Sequence, residues 1–258
     1  MATRDEILRE LKLAPEWRLR AAVRHDAHEG EASATVRGPS VREGGVAGAP
    51  RIVTVEDPAA RRARIAALAW PALEADIETC TACPLCRTRK RAVPGVGDQD
   101  ADWLFVGEGP GAEEDAKGEP FVGQAGKLLD SMLAALGMRR GERVYIANVV
   151  KCRPPNNRTP EPAEAEACRP YLERQIALLR PKLIVALGKS AASLLLKTDA
   201  SIASLRGRRH RYGATPLVVT YHPAYLLRSL PEKAKAWEDL LFARSVASSG
   251  PPETPPVA

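Results

Sequence analysis

Trp103-Leu104-Phe105-Val106-Gly107-Glu108-Gly109-Pro110-Gly111 is the stretch on which the fold turns: four large apolar residues in a row, then a polar, glycine-rich loop. A short unbroken apolar run closed by turn residues reads as a strand buried on both faces. Similar runs recur at Val144-Tyr145-Ile146-Ala147, Leu183-Ile184-Val185-Ala186-Leu187 and Leu217-Val218-Val219, and between them residues 128–136, 164–179 and 190–196 place apolar side chains at helical spacing. Gly137 stands where a helix C-cap belongs, and Pro181 closely follows residue 179. Strands with no polar face that alternate with helices define a central, mainly parallel four-stranded sheet covered on both sides, a three-layer α/β/α fold. Such sheets bind ligands beyond the carboxyl ends of their strands. Three of the four runs end there in polar, glycine-rich or histidine-bearing segments: the loop from Gly107 to Gly111, Asn148, and His222-Pro223.

Outward from this core the text changes character. Ile65, Leu68, Leu73 and Ile77 have helical spacing, with Pro71 placed to open a second helix. Residues 1–24 form an expected helical arm (Ile7, Leu8, Leu11, Leu13, Trp17 and Leu19, broken near Pro15), 25–60 a flexible linker with few large apolar side chains, 61–247 the folded domain and 248–258 a proline-rich disordered tail. The 258 residues, 45% hydrophobic and 27% charged, suit one good-sized soluble domain with appendages. No apolar run approaches the ~18 residues of a membrane span, and residues 1–10 lack the apolar stretch of a secretory signal, so the expected location is the cytoplasm, at the nucleoid if the source is bacterial. A formal charge of +6 suits a polyanionic partner, although many proteins with such a charge touch no nucleic acid.

Five cysteines in a reducing compartment do not form a disulfide framework. Cys80 and Cys83 make a C-x-x-C pair, and Cys152 and Cys168 lie far downstream; four thiolates from distant segments are what an iron-sulfur cluster or a structural zinc requires, and spacing does not choose between them. Cys86 extends the first pair, so five candidates compete for four positions. The loop after Val106 lacks both the dinucleotide and the P-loop spacing, and Pro110 removes a backbone donor, which argues against a phosphate cradle and for close approach of backbone to a flat ligand. Phe121, in Gly118-Glu119-Pro120-Phe121-Val122-Gly123, is either a core aromatic or a stacking platform for a base. His222, at a strand's carboxyl end with Pro223 fixing the next backbone unit, is either a satisfied structural histidine or a group that meets the ligand.

Taken in order, Cys80-x-x-Cys83, Gly107-Glu108-Gly109-Pro110-Gly111 with Glu114-Asp115, Gly118-Glu119-Pro120-Phe121-Val122-Gly123, Asn148-Val149-Val150-Lys151-Cys152-Arg153-Pro154-Pro155 with Asn157-Arg158, Cys168, and His222-Pro223-Ala224-Tyr225-Leu226-Leu227-Arg228 resemble family 4, the iron-sulfur family, of the uracil-DNA glycosylase superfamily. The resemblance runs from about residue 76 to 247, and the amino-terminal seventy or so residues fall outside it. It implies a mainly structural 4Fe-4S cluster on Cys80, Cys83, Cys152 and Cys168, with Cys86 outside the quartet. It also implies that Phe121 stacks on an extruded uracil, Asn148 reads its pairing edge and His222 faces O2, with Glu108 and Gly109 at the substrate. Leu226, Leu227 and Arg228 resemble the segment that wedges into the duplex, and Arg158 is a further candidate for DNA contact, alongside Lys151, Arg153, Arg206, Arg208 and Arg209.

These roles have independent physical sense. Chemistry at a glycosidic bond requires the nucleotide to leave the stack, after which stacking and hydrogen bonds must hold the base. As the bond breaks, negative charge grows on the departing uracil, so a donor at O2 strengthens in the transition state. A carboxamide that donates to O4 and accepts from N3–H favours uracil over cytosine, which presents the opposite pattern. For water activation, where other branches of the superfamily often place Asp or Asn, this chain, like family 4, has Gly109; Glu114 or Glu108 is the substitute, with Glu114 preferred because Glu108 is expected to serve through its backbone. The expected protein is a monomeric DNA-repair glycosylase acting on uracil in single- or double-stranded DNA, with a possible unidentified partner for its arm. One alternative is a non-catalytic iron-sulfur nucleic-acid-binding module of the same fold. Another, a relative that bonds covalently to the sugar, carries a histidine insert that Pro154-Pro155-Asn156-Asn157-Arg158-Thr159 lacks.

Overall fold

A computed structural model describes residues 56–249; the expected arm at 1–24, nearly all of the linker at 25–60 and most of the tail lie outside these residues. The chain enters through helix α1, Pro58–Ala67, at 58 rather than 61, because Asp57 caps it: its carboxylate accepts from the N–H groups of Ala59 (3.1 Å) and Ala60 (2.9 Å). Helix α2, Trp70–Thr79, carries Pro71 in its first turn, as the sequence predicts. A 3-10 turn at Pro84–Arg87 precedes the sheet.

Strands β1 (Val96–Gly97), β2 (Trp103–Gly107), β3 (Val144–Asn148), β4 (Leu183–Leu187), β5 (His210–Tyr212) and β6 (Thr215–Thr220) form one sheet in the order β1-β3-β2-β4-β6-β5. Its centre, β3-β2-β4-β6, is the expected parallel four-stranded sheet. The short edge strands β1 and β5 are additional and antiparallel. Neither has a continuous apolar run to betray it, since an edge strand needs little burial and takes its register from the neighbour it pairs with.

Alternation along the central strands builds two cores. Leu104, Val106, Tyr145, Ala147, Ile184, Ala186, Leu217 and Val219 face α1, α2, α5 (Pro162–Leu179) and α6 (Lys189–Leu196). Trp103, Phe105, Val144, Ile146, Leu183, Val185 and Val218 face α4 (Gln124–Ala135) and α9 (Glu232–Ser248). Each large apolar side chain so buried contributes about 1.5–3 kcal/mol, which is why the apolar runs dictate the layers. Helix α9 escaped the sequence reading: its buried face is Ala236, Asp239, Leu240, Ala243 and Val246, too poor in large apolar residues to give a strong periodic signal. Three short helices, α3 (Ala112–Lys117), α7 (Ile202–Leu205) and α8 (Pro223–Leu226), and a second 3-10 turn at Pro155–Asn157 are the remaining helical elements among the described residues. Among the described residues no helix is long and apolar enough to cross a membrane.

In-register pairing of Gly107 with Asn148 and of Leu187 with Thr220 brings the carboxyl ends of the parallel strands onto one edge. The loops that follow these strands meet there.

Candidate active site

A cleft of about 740 Å³ opens on that edge. Glu108, Gly109, Glu114, Phe121, Asn148, Arg158, His222 and Arg228 all line it, together with Tyr221, Tyr225 and Gly188. Its size lies within the range of ordinary ligand pockets, about 300–1,000 Å³.

Asn148 ends β3 with only 1% of its surface exposed, and its Oδ1 is buried without a hydrogen-bond partner. An unpaired buried acceptor costs roughly 1–3 kcal/mol, and this one belongs to a residue that lines the cleft. Gly107, its neighbour across the sheet, makes the space: a Cβ there would stand 2.5 Å from Asn148 Oδ1 and 2.6 Å from Phe121 Cζ.

Phe121 adopts a left-handed backbone (φ 54°), a strained state for a non-glycine residue, worth about 1–3 kcal/mol. Several groups hold it there. Arg140 donates to the carbonyls of Pro120 (2.7 Å) and Phe121 (2.8 Å) and pairs with Asp130. Gly126 admits the Phe121 carbonyl, which would come within 1.7 Å of any Cβ at that position. Glu114 accepts from Val122 N (2.9 Å) and Gly123 N (3.1 Å) with one oxygen and from Gly111 N (3.0 Å) with the other, tying the loop after β2 to the Phe121 loop. Arg140 and Gly126 carried no legible signal in the sequence, because their work is on another segment's backbone.

The Phe121 and His222 rings lie 5.4 Å apart, inclined at 29°. His222 caps α8, and its Nδ1 accepts from Ala224 N at 3.1 Å, which leaves Nε2 to carry the proton of the neutral ring. Burial, reinforced by the positive charge of Arg228 and opposed by Glu114, pushes the His222 pKa from 6.5 down to about 4, so the imidazole is neutral at physiological pH. Gly188, with φ 89°, lies beneath it; a Cβ there would sit 3.0 Å from His222 Cβ.

Glu108 accepts from Ser190 Oγ at 2.6 Å. Arg158 grips Glu164 with both guanidinium nitrogens, at 2.8 and 2.7 Å, and thereby stands fixed at the cleft wall. Leu227 is 42% exposed, whereas Leu226 is 1% exposed and packs inward, so the outward part of that segment is Leu227 and Arg228. Two of the basic residues suggested for phosphate contact turn inward as well. Lys151 is buried, and Arg206 is engaged by Asp239 (3.0 Å) and the Lys235 carbonyl (2.5 Å). Both lie where the chain needs an internal donor, which a count of charges does not reveal.

The five cysteines gather on the side of the sheet covered by α2 and α5, where Cys80, Cys83, Cys86, Cys152 and Cys168 line one small cavity with Arg89, Lys151 and Tyr171. Cys83 stands just before the 3-10 turn and Cys86 within it, tied by the hydrogen bond from Cys86 N to the Cys83 carbonyl at 3.2 Å. Donors point at the sulfurs: Arg89 Nη1 at Cys152 Sγ (2.9 Å), Arg61 Nη2 at Cys80 Sγ (3.5 Å) and Lys151 N at Cys168 Sγ (3.3 Å). Burial pushes the Cys168 thiol up to about 12 and raises Cys83 and Cys152 as well, so their thiolate forms need a compensating positive centre. Among the described residues no three Cys, His, Asp or Glu side chains are set to hold a single metal ion.

An α/β/α domain with an aromatic ring, a carboxamide and an imidazole converging beyond the strand ends has the layout of a base-accepting enzyme. Residues 94–241 match the Uracil DNA glycosylase superfamily, and the chain belongs to that superfamily. Its branch is the type-4 one. It is 49% identical over 160 residues to the Type-4 uracil-DNA glycosylase of Archaeoglobus fulgidus (59% of this chain, 80% of the relative), and 47% identical over 173 residues to that of Thermotoga maritima (66% and 90%). To the Type-4 uracil-DNA glycosylase of Pyrobaculum aerophilum it is 45% identical over 172 residues (64% and 87%).

Proposed function

We propose that this chain hydrolyses the N-glycosidic bond of uracil in DNA after rotating the nucleotide out of the helix, the first step of base excision repair. The observation that carries this reading is the meeting of Phe121, Asn148 and His222 in one cleft, with the buried Oδ1 of Asn148 unpaired.

The extruded uracil stacks on Phe121, whose loop is pinned by Arg140 and Glu114. The Asn148 carboxamide accepts from N3–H and donates to O4. Cytosine, with an acceptor at N3 and a donor at C4, leaves both groups unpaired, which is the strongest kind of discrimination a small pocket achieves. His222, neutral and protonated at Nε2, donates to O2 as negative charge builds on the leaving base. A carboxylate offers about four acceptor sites, and three backbone N–H groups occupy those of Glu114. The remaining one can orient the attacking water beside the sugar, with Glu108 and Gly109 framing the base through their backbone. Leu227 fills the step that the base vacates, and Arg228 and Arg158 meet phosphates.

A 4Fe-4S cluster on Cys80, Cys83, Cys152 and Cys168 fits the donor set: sulfurs from three separate segments around one cavity, met by N–H donors of the kind that stabilise cluster thiolates. When bound, the cluster supplies a structural cross-link between the segment after α2, the segment after β3, and α5. The reading is tested by incubating the protein with a single-uracil oligonucleotide and measuring free uracil, with Asn148→Ala as control. Uracil release abolished by that substitution is the expected outcome; no release by the unsubstituted protein would remove the proposal.

A further inference from the structure

Among the described residues, Lys151 is the one basic side chain that the proposed reaction leaves unused and the fold buries deeply, at 1% exposure. Its Nζ donates to the backbone carbonyl of Asn148 at 2.9 Å and to Gln175 Oε1 at 2.6 Å. Its own backbone N–H donates to Cys168 Sγ at 3.3 Å, and Cys152 is the next residue in the chain. Among the described residues its ammonium group makes no ion pair; both side-chain partners are neutral oxygens. Burying an ammonium on neutral acceptors alone is costly. A buried methionine would fill the same space without that cost; what the lysine adds is its pair of hydrogen bonds, to Asn148 and Gln175, and a positive charge at the cysteine cavity. Gln175 is fixed in turn, its Nε2 donating to the Pro94 carbonyl at 2.8 Å.

We propose that Lys151 is a positioning residue that ties the cysteine centre to base recognition: it holds the Asn148 main chain, and through it the pyrimidine-reading carboxamide, at the place set by the Cys152 and Cys168 scaffold. The inference rests on the assignment of Asn148 to the base. It gives the cluster a bearing on the pocket that a remote cross-link would lack.

The test measures binding of free uracil by calorimetry and binding of abasic-site DNA, alongside iron content and visible absorbance. Lys151→Met carrying a full complement of iron should bind free uracil about tenfold more weakly, the loss expected for one hydrogen bond from a charged donor, while its affinity for abasic-site DNA stays within about twofold. A merely structural lysine would move both affinities together or neither, and either result in iron-loaded protein overturns the proposal. Should Lys151→Met fail to load iron, Gln175→Met decides, because Gln175 does not line the cysteine cavity and its loss frees Nζ from its second anchor. Weaker uracil binding with iron retained supports the link, and unchanged binding refutes it. The unsubstituted protein separates the two levels of inference: if it binds no uracil, the pocket assignment itself falls, whereas uracil binding that both variants leave intact removes only the link through Lys151.

Discussion

Replacing Gly107 by alanine adds a single methyl group at the most crowded point of the site. The backbone there is extended strand, without the positive φ that would make a side chain strained, so the effect is steric alone. The new carbon would lie 2.5 Å from Asn148 Oδ1 and 2.6 to 2.8 Å from the Phe121 ring edge, where ordinary contacts begin at 3.4 Å. Relief therefore moves the carboxamide, the ring or both by about 0.9 Å. Overpacking of this kind costs about 1–3 kcal/mol of stability, which lowers Tm by roughly 2–12 °C in a domain of this size. A displacement near 1 Å in a positioned catalytic group costs about 100-fold in rate, equivalent to about 2.7 kcal/mol on the barrier. The assay is single-turnover release of uracil from a single-uracil duplex, with visible absorbance followed in parallel, since the cysteine cavity lies elsewhere. Gly107→Ala cleaving within twofold of the unsubstituted rate would refute the claim that ring and carboxamide jointly hold the base.

Four further outcomes are expected. His222→Ala should slow cleavage more than about tenfold while leaving binding to uracil-containing DNA nearly intact; equal losses in both would contradict a donor that strengthens in the transition state. Because the folded pKa of His222 is depressed to about 4 from 6.5, the stability associated with its neutral form is complete above pH 6.5 and disappears as pH falls through about 4. A cleavage profile with a His222-dependent midpoint near 6.5 would show that the ring is not desolvated. Cys152→Ser should cost folded, iron-loaded protein, and a stable, cluster-free, fully active variant would rule out the proposed ligand set. Leu227→Ala should slow cleavage of duplex DNA several-fold with little change on single strands, as a wedge matters only where a stack must be opened; equal effects on both substrates would remove that role.

Much of the candidate site was legible because the residues that line the cleft are scarce types or stand at strand ends. Phe121 is one of three phenylalanines and His222 one of four histidines, and the glycine-rich loop marks where β2 stops. The supports were not readable. Arg140 and Gly126 act on the Phe121 backbone, the bracing role of Glu114 is likewise exerted on main-chain N–H groups, and Leu226 and Leu227 differ only in which way the chain turns them. Charge was a poor guide for the same reason: Lys151 and Arg206 carry the composition of a DNA-facing residue and the environment of a core donor.

The layers and the four parallel strands were legible in the linear pattern, since short apolar runs bounded by turn residues and alternating with helical patterns read as central strands covered on both faces. Folding decided the rest: the edge strands, the alanine-lined face of α9, the neutral state of His222 and the inward turn of Lys151. Each of these depends on what a residue is packed against, and desolvation, register and hydrogen-bond partners are properties of neighbours that the chain brings together only when it closes.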